Sequence, residues 1–384
     1  MPSSRIVFLI LGGICLLAGL NAAFLQLGTW APISSADDDA HGLVMTLGFL
    51  GALISLERAQ ALAHRDPSKR WAYLAPGLLG LGGLVHAVGG PDTTVGMIGQ
   101  LLMVEGAIAF VLVYVYLWKR APLTLVATQI LSAVAALSAA LLSLAFENSA
   151  LIPLLSAFLI ITIAAERAEL AQLSMGPRAV PTLLATSSAL LTCATASLLW
   201  PILASRAFGV AQLAIAFWLL KDDVPRRLIR STGLHRFTAF ALLFGYLWLI
   251  VGALTWIVTG GQVGTVYYDV VIHTVFVGFA IAMIMAHAPV IFPAVMGVPV
   301  PYRSFMWVPL VLLNLGLAMR VFGEIFDGQG TIWQHGGILN IVAILLFLLS
   351  VIAAVVTGNR KPSRKNRKVA RGRAAVVAAE KGTR

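Results

Sequence analysis

Residues 332–357 read IWQHGGILNIVAILLFLLSVIAAVVT, a stretch in which His335 is the one ionisable side chain. A hydrocarbon core about 30 Å thick takes roughly 20 apolar residues of helix, so this stretch is long enough to cross a bilayer. Working outward from it, nearly all of 5–357 divides into similar runs: 5–28, 41–63, 71–90, 94–118, 122–145, 149–173, 179–200, 203–220, 235–258, 267–296, 304–323 and 332–357. The runs are continuous rather than alternating, which excludes a lipid-facing barrel. The expected fold is an all-α polytopic membrane protein, one bundle of twelve transmembrane helices over 1–358. Composition agrees. The 384 residues are 59% hydrophobic and 11% charged, with mean hydropathy +0.90, whereas soluble domains carry roughly 25% charged residues. The run from Ile6 to Leu27 exceeds the apolar core of a signal peptide and reads as an uncleaved first span. Cys15 and Cys193 both lie inside apolar runs, so neither a disulfide framework nor a CxxC metal site is present.

The lysines and arginines test the span assignment independently, because cytoplasmic loops hold their excess. Alternate loops are basic: Arg65, Lys69 and Arg70; Lys119 and Arg120; Arg178; Lys221, Arg226, Arg227, Arg230 and Arg236; Arg303. The loops between carry Asp37, Asp38, Asp39, Asp92, Glu147, Glu324 and Asp327. Both termini are therefore expected in the cytoplasm and the chain in the plasma (inner) membrane. Most of the net charge of +11 comes from the tail, where Arg360 to Arg384 holds ten basic residues against Glu380. With almost nothing to bury, 359–384 is expected to be disordered. A basic run just past a last span fixes topology and touches anionic lipid, in preference to nucleic acid.

An internal echo groups the spans in three sets of four. The second span ends ISLERAQAL, with Glu57 and Arg58, and the sixth ends IAAERAELAQL, with Glu166, Arg167 and Glu169. The tenth places His287 at the corresponding depth in MAHAPV. The repeat is parallel in sense, unlike the inverted halves of many transporters.

Ionisable side chains within spans cost at least ~2.5–3.5 kcal/mol to insert, which makes each a functional candidate. His41, His86, His273 and His335 all fall in the outer leaflet, while His64, His235 and His287 fall on the cytoplasmic side. Neutral imidazole ligates copper, zinc and haem iron, and separate helices can aim such ligands into one core. The four outer histidines are therefore the candidate metal ligands. Taken singly, His86 and His335 read as interfacial residues wetted by headgroup water, and His273 as a hydrogen bond to a neighbouring helix. Arg206 and Arg320 sit at the outer interface. Snorkelling, helped for Arg320 by Glu324 one turn away, is one reading; pairing with an anionic cofactor group is the other.

At the inner end, Glu57, Glu166 and Glu169 beside Arg58 and Arg167 read as an ion-pair cluster that keeps Glu57 and Glu166 ionised. The sharper alternative is a proton route through Glu57, Glu166 and His287, with Glu105 in the middle of the fourth span as its next station. Pro289 and Pro293 are expected to break the tenth helix after His287.

HGLVM at 41–45 and GFLGA at 48–52 resemble the histidine-bearing second helix of haem-copper oxidase subunit I. HTVFVGFAIAMIMAHAP at 273–289 resembles the NnrS family, twelve-span haem- and copper-binding membrane proteins associated with nitric oxide metabolism. The resemblance implies His41 as an axial ligand of a haem b and His273 as a second axial or copper ligand, with Arg206 and Arg320 at the propionates. Gly42 and Gly278 would leave room for the flat ring. The sixth and seventh spans contain neither histidine nor tyrosine, so the oxygen-reducing copper centre is not expected. The function that follows is an integral membrane haem protein, with copper as a further candidate metal, linked to redox or nitric oxide metabolism. The alternative is a cofactor-free, proton-coupled secondary transporter.

Overall fold

The computed structural model describes residues 3–34, 39–64, 66–261 and 263–358. The basic tail, Arg65, Asp37 and Asp38 lie outside the described residues. Among the described residues, twelve helices are long and apolar enough to span a membrane. They are α1 (Arg5–Gln26), α2 (His41–Ala63), α3 (Pro67–Gly89), α4 (Thr94–Arg120), α5 (Thr124–Leu142), α6 (Asn148–Ala171), α7 (Ala179–Ala196), α8 (Pro201–Asp222), α9 (Gly233–Thr259), α10 (Val266–Val290), α11 (Ser304–Asp327) and α12 (Thr331–Thr357). The chain is an all-α multi-pass membrane protein. Outside the spans, the Ser68 hydroxyl and backbone amide both donate to Asp66, and these bonds hold its carboxyl below the usual range.

Three helices form the centre. Burial covers 72% of α2, 83% of α6 and 72% of α10, against at most 50% of any other span. They recur every fourth helix, which is the grouping the ER echo indicates. Within each set the first helix packs on the second, and the third packs on the fourth. An apolar face on all sides explains why these three are central: a helix apolar all round must be surrounded by other helices.

The central helices are not alike. In α2, His41–Leu43 is α-helical, Val44–Gly51 is π-helical and Ala52–Ala63 is α-helical again. In α10, Val266–His273 is α-helical, Thr274–Ile281 is π-helical and an α-helix follows over Ala282–Met296. Each π segment has eight residues and begins within three residues of a histidine, and π turns are rare and concentrate at functional sites. In contrast, α6 is α-helical throughout, with Pro153 in its first turns. Pro289 and Pro293 do not break α10; the helix runs through both. Two glycines set the close packing of the π segments. A Cβ on Gly48 would sit 3.0 Å from the Cα of Gly83 on α3, and one on Gly278 would sit 2.5 Å from Trp248 on α9.

Candidate functional site

Two polar regions lie in the bundle, one at each end of the central helices. In the outer half, the His41 Nδ1 lies 2.8 Å from the Gly19 carbonyl of α1. The His273 Nδ1 lies 3.0 Å from the Asp269 carbonyl and 3.1 Å from its carboxylate Oδ1. Carbonyls and carboxylates only accept, so both rings carry a proton on Nδ1, and in the neutral tautomer the lone pair lies on Nε2. His41 is within electrostatic reach of His273, Arg320 and Asp269, which places the two histidines in one region. Beside His41 lies an apolar cavity of about 560 Å³, bounded by α1, α2, α3 and Leu345 of α12. Cofactor pockets span roughly 300–1,000 Å³.

The other outer candidates go elsewhere. Arg320 is committed to Asp269 in a two-pronged pair, Nε to Oδ2 at 2.7 Å and Nη2 to Oδ1 at 2.6 Å. Trp333 Nε1 donates to the same carboxylate at 3.2 Å, and its ring lies under the guanidinium. Glu324 is buried beside this pair, but its Oε2 has no hydrogen-bond partner. Arg206 is exposed on α8 and donates to the Val258 carbonyl. His86 is buried with its Nδ1 on the Gly96 carbonyl of α4, and His335 is exposed with its Nδ1 on the Thr331 carbonyl. The four outer histidines therefore do not gather: His41 and His273 approach, while His86 and His335 stand apart. Among the described residues, no three His, Cys, Asp or Glu side chains form a metal-holding group. Gly278 does not leave space for a ring either, because Trp248 and Leu317 fill it.

The inner region repeats around an axis. Registering Phe49, Phe158 and Phe279 makes Glu57, Glu166 and His287 equivalent, and likewise Arg58, Arg167 and Ala288. A cavity of about 120 Å³ is lined by equivalent residues from all three central helices. Its layers are Leu50, Leu159 and Ala280; then Ile54, Ile163 and Ile284; then Glu57, Glu166 and His287. Spacings of four and three residues put each helix's contributions on one face, so the cavity lies on a pseudo-three-fold axis.

Each arginine of the echo reaches the next central helix round that axis. Arg58 of α2 bonds Glu169 of α6 at 2.8 Å and contacts Glu166 at 3.5 Å and its neighbour Glu57 at 3.4 Å. Arg167 of α6 donates from Nη1 to His287 Nε2 of α10 at 2.9 Å. The same guanidinium clasps Asp223, Nε to Oδ2 and Nη2 to Oδ1, both at 2.8 Å, and the Tyr246 hydroxyl of α9 donates to Asp223 as well. Arg167 thus does not neutralise the glutamates, contrary to the reading of the ER pairs as one cluster. Glu105 is not a station of this region: it is exposed on the outward face of α4.

Asp223, Asp269, Tyr246 and Trp333 escaped the sequence reading. Asp269 had a legible signal, four residues before His273 on one helix face. Asp223 had none, since it lies among the basic residues of a loop, Lys221, Arg226 and Arg227. No curated protein is similar enough to this chain to count as a match. One family model matches residues 5–356, all twelve spans with nearly the whole of the bundle, and the chain belongs to that family, DUF8744, a domain of unknown function.

Proposed function

We propose that the protein is a haem-binding protein of the plasma membrane, with His41 and His273 as iron ligands in the outer half of the bundle and a role in redox or nitric oxide metabolism. One observation carries this reading: two histidines, each within three residues before a π-helical stretch of a central helix, are both anchored through Nδ1, which in the neutral ring leaves Nε2 as the lone pair. Ligating histidines are usually held this way, by a carbonyl or carboxylate on the other nitrogen. For His273 the anchor is the Asp269 carboxylate, which strengthens the ring as a donor. The cavity beside His41 supplies apolar walls on that ligand's side, and His273 is not among its lining residues.

The Nδ1 anchoring of the two rings supports the haem reading, and the two arginines do not fit its propionates, since Arg320 is already held by Asp269 and Arg206 is exposed. In this reading Arg320 is instead a positioning residue: it fixes Asp269, and Asp269 fixes the tautomer and angle of His273. A bound haem supplies one-electron chemistry and an iron open to diatomic ligands if either histidine leaves. The resemblance of 41–52 and 273–289 to haem-binding helices supports the same pair. The test is the absorption spectrum of protein purified from haem-replete cells. A Soret band is expected, abolished or converted in His41→Ala and in His273→Ala while the protein stays monodisperse. A colourless wild type, or an unchanged spectrum in both variants, rejects the reading.

A further inference from the structure

The axial cavity at the inner end holds an imbalance of charge that does not depend on any cofactor. Arg58 and Arg167 bring two positive charges to four carboxylates, Glu57, Glu166, Glu169 and Asp223. Arg167 is fully used by Asp223 and His287. His287 adds no charge: its Nε2 accepts from Arg167, so its single proton sits on Nδ1, donated to the Met283 carbonyl at 2.8 Å. Tyr246 of α9 is spent on Asp223. Arg58 is therefore the guanidinium whose ion pairs the three glutamates share among the described residues.

The three are unequal. Glu169 takes the short bond to Arg58, accepts from Gln129 of α5, and its side chain is 48% exposed. The Glu57 side chain is 28% exposed. The Glu166 side chain is 12% exposed, and its 3.5 Å contact with Arg58 is the longest of the set. From α4, Tyr114 presents a fully buried hydroxyl with no partner, within electrostatic reach of Arg58 and Glu166. A carboxylate removed from water without a counter-charge of its own takes up a proton rather than stay ionised. The cavity that Glu57 and Glu166 line has room for a few waters, at about 30 Å³ each. Outward of Glu57 and Glu166 the walls of the cavity are apolar, first the isoleucine layer and then Leu50, Leu159 and Ala280.

We infer that Glu166 is a proton-binding carboxyl on the pseudo-three-fold axis, exchanging with the cytoplasmic side through Glu57 and Glu169 and facing the two apolar layers of the cavity toward the outer half. The proton replaces the missing third arginine: where α2 and α6 carry Arg58 and Arg167, α10 carries Ala288. His287 is the fixed wall of the site, held in one tautomer by Arg167.

The experiment is infrared spectroscopy of the full-length protein in lipid nanodiscs, titrated from neutral to alkaline pH. The wild type should show a carboxylic acid C=O band at neutral pH that disappears as the pH rises. Glu166→Gln should remove one proton equivalent of that band, while Glu105→Gln and Glu324→Gln leave that equivalent in place. If Glu166→Gln does not fold, Glu166→Asp keeps a carboxyl one methylene shorter and should shift the band. A wild type without a protonated carboxyl at neutral pH overturns the assignment. So does a band that Glu166→Gln leaves at full strength, or that Glu166→Asp leaves unmoved. Because no haem enters the measurement, failure of this site and failure of the outer histidine pair are separate results.

Discussion

Arg320 in the outer half and Arg58 in the inner half are both buried guanidiniums surrounded by carboxylates, yet they are solved in opposite ways. Arg320 meets one partner, Asp269, with two short parallel bonds, and Trp333 completes the carboxylate's shell. Arg58 meets three partners, one short and two long. The first arrangement is one-to-one and geometrically rigid, suited to holding His273 at a fixed angle, with Glu324 beside it outside the clasp. The second is open by design of its composition, with more negative groups than one guanidinium can serve. The difference teaches that a buried arginine is structural where one carboxylate takes its donor fork. Where several carboxylates share it, the least served of them is where exchangeable charge resides.

The largest expected effect breaks the matched side. Arg320→Met leaves Asp269 buried and unpaired, and such losses run about 3–5 kcal/mol; thermal unfolding of the purified protein should show it as a marked drop in Tm. Replacing both partners, Arg320→Met with Asp269→Leu, should recover most of that loss, because two apolar side chains carry no desolvation penalty. If the double variant is as unstable as the single one, the pair is not an isolated structural clasp. An intermediate effect is expected on the mismatched side. Arg58→Gln should cost about 1.5–3 kcal/mol, the scale of hydrogen bonds to charged groups, because Glu57 and Glu169 reach water and Glu166 can be protonated. A loss as large as that of Arg320→Met would show that all three glutamates depend on Arg58 for their charge. The smallest effect is expected for Glu169→Gln, no more than about 1 kcal/mol in unfolding, since its side chain is half exposed and screened. A larger change would move Glu169 from the access route into the structural core of the cluster.

Part of this contrast was readable in the residues. The ER echo of α2 and α6 announced both the three-by-four grouping and the inner cluster, and His41 and His273 stood out at one depth. The partners were not readable. Arg167 lies next to Glu166 in sequence but turns to Asp223 and His287, because successive residues on a helix point about 100° apart and face different neighbours. Arg320 has Glu324 one turn away but finds Asp269 on α10 instead. Glu105 lies mid-span and looked central, yet it is on the outward face of α4.

The sequence by itself determined the all-α class, the twelve spans and the alternation of basic loops. Each of these is a sum along the chain: twenty apolar residues match the hydrocarbon thickness whatever their neighbours do, and loop charges orient a span locally. Only the tertiary structure decided which face of each helix points inward. That choice rests on packing between helices, such as Gly48 against Gly83 and Gly278 against Trp248, which no hydropathy sum contains. From it follow the axis shared by α2, α6 and α10, the anchored tautomers of His41 and His273, and the guanidinium of Arg58 that three glutamates must share.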